Sequence, residues 1–266
     1  MLYVRRSPIW PDPRVKPPFG AAELDRSHPL AAGLTTAFFF VEGGGHPIDM
    51  VTDARGALVG APWVPLGNGG GVGPDFQPST TRYIDHLTVG QLTRGTMACR
   101  AFVRKSPPAG IIHNFFTWYE EGQSEPFGTH DKQIYLYPNA SNTVVRYRIY
   151  DGASKVVIGS EFVANDTFIG TLTLAASFDG TTLRGYRNGI ADGSLAAGTA
   201  FTYTNPACRL AGNVNLDVVS VRFDGTYDWF LAWKDRILSQ ADTLWLHTEP
   251  YAMLRPVIRR RWFIPA

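Results

Sequence analysis

The sequence predicts an all-β fold: an antiparallel β-sandwich with a short C-terminal helix and extended N- and C-terminal arms. Three observations carry this. First, residues 171–178 alternate strictly, with Leu172, Leu174, Ala176 and Phe178 on one face and Thr171, Thr173, Ala175 and Ser177 on the other. Strand side chains repeat every second residue, so the expectation is one buried face and one wetted face. Second, Asp179-Gly180 and Asn188-Gly189 bracket the next run, Leu183 to Arg187. Both pairs tolerate the positive φ of tight hairpin turns, which predicts a meander, placed at the middle of a sheet. Third, apolar alternating runs recur from residue 76 onward at sandwich spacing. The chain has 266 residues, 44% hydrophobic, which suffices for one large core.

Taken in order, residues 1–20 are predicted to be an arm. Pro8, Pro11, Pro13, Pro17 and Pro18 block helix and ladder pairing. Ile9, Trp10 and Phe19 predict that the arm lies along a surface, its own or a partner's. Residues 34–41 are near-continuously apolar and predict a buried first strand. Residues 43–75 are rich in Gly and Pro, predicting a long loop with short strands at 48–51 and 61–66. Gly69, Gly70 and Gly71 are followed by no helix and no Gly-Lys-Ser/Thr, so a nucleotide loop is rejected.

Met97, Cys99, Ala101 and Val103 are expected to alternate inward. Strands follow at 111–119, 133–137, 143–150 and 155–162; in the third, Val145, Tyr147 and Ile149 oppose Arg146 and Arg148. Val219, Val221 and Phe223 alternate with Ser220 and Arg222, and Trp229, Leu231 and Trp233 share a face of the last strand. Ser239-x-x-Asp242 has the form of a capping box opening a helix that ends before Pro250.

Two segments resemble a known family. LAASFDGTTLRGYRNG is similar to the central hairpin of laminin G-like domains, and FDGTYDWFLAWKDRILSQAD to their closing pattern. The resemblance spans residues 28–249 and implies a jelly roll of the concanavalin A-like lectin/glucanase superfamily. That superfamily holds lectins, glycosidases and structural modules, so it specifies no activity. The opening HPLAAGL with EGGG, and the closing EPYAMLRPVIRRRWF, resemble the ends of laminin G-like proteins of tailed-phage genomes. The organisation expected is an arm at 1–20, a sandwich at 21–249 and a basic arm at 250–266.

Charge is uneven. Residues 1–20 hold four basic residues against Asp12, and residues 250–266 hold four arginines and no acid. With a net charge of +2, the body between is acidic by five charges. Basic ends on an acidic body predict docking on something acidic, nucleic acid or a protein that includes a second copy. Nucleic-acid modules spread basic residues over a folded face, which disfavours the first. Arg5, Arg6, Trp10, Arg259, Arg260, Arg261 and Trp262 are therefore the expected protein-docking residues. No secretory signal and no membrane-length apolar run is visible, so assembly in a host cytoplasm is expected. Cys99 and Cys208 form no disulfide framework; buried free thiols are expected, with a single bridge as the alternative.

Catalysis is disfavoured. The resemblance implies Glu-x-Asp-x-x-Glu for a glycosidase, and that motif is missing. Adjacent Glu120 and Glu121 would point to opposite strand faces and cannot flank one bond. The six histidines lack ligand spacing, no Cys-x-x-Cys exists, and no dense acidic loop marks a calcium site. No cofactor, metal or catalytic residue is expected. Trp118, Tyr119, Tyr135 and Tyr137 are the candidate glycan-stacking residues, with core filling as the competing reading. The expected function is a non-enzymatic virion structural protein, a capsid decoration or cement protein bound to other virion proteins and assembled as a homo-oligomer. The alternatives are a tail or fibre adhesin for a host-surface glycan and, weakest, an endoglycanase.

Overall fold

The computed structural model describes residues 12–18, 20–66, 71–77, 82–85, 93–109, 111–120, 130–139, 141–151, 154–164, 167–196, 206–211 and 221–257. Short strands come first: β1 (Ala22–Leu24), β2 (Leu34–Phe38), β3 (Ala57–Val59), β4 (Trp63–Pro65), β5 (Val72–Phe76) and β6 (Tyr83–Asp85). The long strands are β7 (Gly95–Val103), β8 (Ile112–Glu120), β9 (His130–Asn139), β10 (Asn142–Asp151) and β11 (Ser154–Ala164). Then come β12 (Gly170–Phe178), β13 (Thr182–Arg187), β14 (Ile190–Ala196), β15 (Pro206–Leu210), β16 (Val221–Arg222) and β17 (Gly225–Lys234). Helix α1 (Gln240–Thr248) and β18 (Leu254–Pro256) follow.

Two sheets face each other. One has the order β11-β10-β9-β8-β15-β6-β3, with β16 parallel to β8. The other has the order β14-β13-β12-β7-β17-β5-β4, with β2 also on β17. Between them lies a core of alternate residues, including Met97, Cys99, Ala101 and Val103 from β7 and Val145, Tyr147 and Ile149 from β10. Each fully buried Phe or Leu there contributes about 1.5–3 kcal/mol.

The β12-β13-β14 meander forms, but at one end of its sheet rather than the middle; β7 holds the middle. The face of β12 expected to be wetted is covered too: Thr173, Ala175 and Ser177 are all buried. The cover is a second core outside the sheet, where Leu246 of α1, Leu24 of β1 and Leu254 of β18 pack on Ala175, Trp229, Leu231 and Trp233. Small residues at 173, 175 and 177 therefore make room for a third layer. Alternation of polar and apolar residues here separates two buried faces rather than a buried face from a wetted one.

One bulge in β17 serves both cores. Its register passes from Tyr227 opposite Ala101 to Trp229 opposite Arg100, leaving Asp228 as the extra residue. A bulge reverses the alternation. Tyr227 thus enters the first core, Trp229 the second, Phe230 the first and Leu231 the second.

Helix α1 begins as expected. Ser239 Oγ accepts from the Asp242 amide while the Asp242 carboxylate accepts from the Ser239 amide. Residues 34–41 are buried as expected, but they are preceded by β1, which pairs antiparallel with β18. Residues 48–51 form no strand; Ile48 makes an isolated bridge to Arg55. Only the last of Val219, Val221 and Phe223 has a described side chain, and it lies in the first core. Packing continues beyond the expected sandwich limits, because Tyr251, Met253 and Leu254 belong to the second core and Lys16 is buried.

Candidate functional site

The four aromatic candidates do not converge. Trp118 is fully buried in the first core. The register of β8 against β9 jumps from Asn114 to Phe116, which leaves Phe115 as a bulge and turns Phe116 and Trp118 inward. Trp118 therefore offers no stacking face, a correction to the sequence expectation. Tyr135 and Tyr137 do stand together on the outer face of β9, ring centroids 6.4 Å apart. Tyr135 is also buried, and the Arg146 guanidinium lies 3.5 Å above the Tyr137 ring. That pair is a cation–π contact rather than an open platform. The side chain of Tyr119 lies outside the described residues, as do Arg5, Arg6, Trp10, Arg259, Arg260, Arg261 and Trp262.

A cleft of about 400 Å³ opens instead where the two sheets meet at β11 and β14. Its polar groups are Ser160, Arg187, Asn188 and Asp192, and its apolar part is Phe168, Leu172 and Ile190. Asp192 is the extra residue of a second bulge, since Gly185 pairs Gly193 and Tyr186 pairs Ala191. The bulge turns Asp192 toward the opposite sheet. There Oδ1 accepts from the Ser160 amide at 3.0 Å and Oδ2 accepts from the Tyr147 hydroxyl at 3.1 Å. Burial, then the adjacent Asp192 charge, pushes the Tyr147 phenol well above its usual range, so it stays a donor. Gly159 permits the approach; a Cβ there would lie 2.1 Å from Asp192 Oδ2.

Arg187 is fixed at the cleft by donating to the Ser160 carbonyl at 3.1 Å and facing Asp192 at 3.5 Å. Asn188, at φ 52°, makes the turn and exchanges two bonds with the Thr173 backbone, at 2.7 and 2.9 Å. Ser106 Oγ accepts from the Thr167 and Phe168 amides at 2.9 and 3.1 Å, which positions the half-buried Phe168 ring. A fixed guanidinium, a carboxylate, an amide and a ring suit recognition of hydroxyl-rich, partly apolar ligands such as sugars. Among the described residues that line the cleft Asp192 is the one carboxylate, whereas glycoside cleavage uses two.

The sequence does not single these residues out, because Asn188-Gly189 reads as turn chemistry. The available signal was an Arg and an Asp flanking that turn.

Elsewhere, Asp228 ties both arms to the sheet. Lys16 Nζ lies 3.3 Å from its carboxylate and donates to its carbonyl at 3.0 Å. Arg100 Nε faces the other oxygen at 3.1 Å, and the Tyr251 hydroxyl donates to the first. Burial lowers the Lys16 pKa against the pull of Asp228. Cys99 and Cys208 are free and buried, and burial pushes both thiols up. Among the described residues no cluster of three His, Cys, Asp or Glu could hold a metal ion, and no helix is long and apolar enough to cross a membrane.

No protein-family model matches the chain, and no curated protein matches it. Solved structures do. Domain 4 of AbnA, a GH43 extracellular arabinanase from Geobacillus stearothermophilus solved with arabinotriose, superposes with a TM-score of 0.58 at 14% identity. The match covers 85% of this chain and 99% of that one. The binding domain of Paraclostridial Mosquitocidal Protein 1 gives 0.58 at 13% identity, over 82% of this chain and 52% of that one. The botulinum neurotoxin serotype D/C VPI 5993 binding domain gives 0.56 at 6%, with the same two coverages. At these identities the likeness establishes the fold alone, a β-sandwich.

Proposed function

We propose that the chain is a non-enzymatic, glycan-binding lectin-like module. The observation that carries the reading is the cleft at the β11/β14 edge, where Arg187, Asn188 and Asp192 are held beside the Phe168 ring. Asp192 as the one carboxylate among its described lining residues supports binding without cleavage. The solved arabinotriose complex of a similarly folded domain adds support of fold-level kind. The test is a glycan array followed by calorimetry on the best ligand. Arg187→Ala and Phe168→Ala are each expected to weaken binding at least about tenfold, one buried polar or stacking contact being worth about 1–3 kcal/mol. Failure to bind any glycan, binding unchanged by both variants, or hydrolysis of the ligand would each refute the reading.

A second reading concerns where the module acts. The ends of the sequence resemble those of tailed-phage laminin G-like proteins, which supports carriage on a virion, as a capsid decoration protein or a tail adhesin. Imaging an intact particle at chain-tracing resolution tests this. Sandwiches on the capsid lattice support decoration, and sandwiches at the tail tip support the adhesin. A particle lacking the chain sinks both.

A further inference from the structure

A groove unrelated to the glycan cleft runs between β1 and the turn at residues 48–53. It comprises two adjoining cavities of about 250 and 470 Å³ that share Glu23, Leu24 and Met50. The turn forming its far wall is rigid. Asp49 accepts from the Ala37 and Val51 amides at 2.8 and 2.9 Å, and Arg26 crosses to the Val51 carbonyl at 2.9 Å. The smaller cavity is lined by three acids, Glu23, Glu42 and Asp53, and by no basic residue, while Arg26 and Arg255 line the larger one and Arg255 pairs with Glu23 at 2.8 Å. Its floor is apolar, from Val41, Ile48 and Met50. Glu42 accepts from the Ile48 amide through Oε1, and its Oε2 has no partner among the described residues.

The near wall is an edge of β1 with no partner among the described strands. Val257 donates to the Ala21 carbonyl and Asp25 to the Met253 carbonyl, so residues 21, 23 and 25 of β1 face β18. In an antiparallel ladder the intervening peptide groups point the other way. Those of Ala22 and Leu24 point into the groove, and no described strand pairs with that edge. The acidic smaller cavity beside an edge that no described strand pairs fits an extended segment that is basic and apolar in turn. Residues 258–266, IRRRWFIPA, have that composition.

We propose that this groove receives residues 258–266 of a second copy of the chain, which adds a strand to β1 and sets its arginines against Glu42 and Asp53. Entry of a chain's own segment is disfavoured by direction. The chain leaves β18 at Val257, opposite Ala21. Antiparallel addition to β1 starts at the Leu24 end, the far end from Val257. Reversal at once would place a tight turn at Ile258-Arg259-Arg260, which has no Gly, Asn, Asp or Pro. Reciprocal exchange between two copies closes a symmetric dimer.

Sedimentation of the full chain across concentration and salt tests this, beside two variants. Arg259→Glu/Arg260→Glu/Arg261→Glu spoils the segment and changes no described core residue; Asp53→Lys spoils the groove at an exposed turn. The wild type is expected to self-associate, more weakly at high salt, and each variant to associate at least about tenfold more weakly. Mixing the two variants is expected to restore association, because one retains an intact groove and the other an intact segment. A wild type monomeric at every concentration overturns the proposal. So does association that both variants leave unchanged, or a mixture that stays monomeric, which would place the segment on its own chain or elsewhere.

Discussion

Tyr147 in one sheet donates its hydroxyl to Asp192 in the other, 3.1 Å away, and so closes the edge of the sandwich beside the candidate cleft. The ring of the same tyrosine lies against Gly185, where a Cβ would meet it at 2.3 Å. Asp192 holds the Ser160 amide as well, so one side chain fixes two strands of the opposite sheet. Binding geometry at Arg187 and stability of the edge are therefore coupled through Asp192.

Asp192→Ala is expected to cost about 1–3 kcal/mol in urea unfolding, because a buried phenol and an amide lose their acceptor. Tyr147→Phe removes one of those bonds and should cost less. Gly185→Ala forces the Tyr147 ring to move and should cost about 1–3 kcal/mol through overpacking. An Asp192→Ala protein as stable as wild type would show that the bulge does not close the edge.

Asp228 should matter more than Lys16. Asp228→Ala strands a buried lysine and an arginine, a loss of about 3–5 kcal/mol. Lys16→Met leaves Asp228 with Arg100 and Tyr251 and is expected to cost less. Its distinct signature is faster limited proteolysis near residues 12–18, since Lys16 anchors that stretch. Equal losses for the two variants would contradict this ordering.

His28 and His247 predict a loss of stability in acid. Burial is the main cause that lowers both pKa values below 6.5, and His28 Nδ1 accepts from the Leu30 amide in the neutral form. Asp25 and Glu249 oppose the shift at His28, while Arg100 reinforces it at His247. The unfolded chain takes up these protons first, so the stability is full above pH 6.5 and is lost as pH falls below it. Thermal midpoints of His28→Gln/His247→Gln should fall less between pH 7 and pH 5 than those of the wild type. Parallel curves would remove the histidines as the cause.

Neither thiol should react in the native protein. Cys99 and Cys208 are fully buried with raised pKa values. An aromatic disulfide reagent is expected to titrate no thiol until denaturant is added, and then two.

The long strands, the hairpin turns and the helix start are legible in the sequence because they depend on neighbours, whereas β1 and β18 are not, and the strand expected at 48–51 does not form. Apolar residues at every second position from 172 to 178, the Asp-Gly and Asn-Gly pairs and the Ser239-Asp242 box each act within a few residues. The sequence by itself determined the inward residues of β7 and β10 for the same reason. The tertiary structure alone decided what lies outside a strand. Thr173, Ala175 and Ser177 read as a wetted face until α1 and the β1-β18 ribbon are seen to cover them. It alone decided the bulges at Phe115, Asp192 and Asp228, which arise from register against a partner strand. Those three residues turn Trp118 into the core, Asp192 into the cleft and Asp228 onto the arms. A one-residue shift reverses every side chain beyond it, so a site built on bulges follows from which strands pair, and composition and alternation carry no record of that.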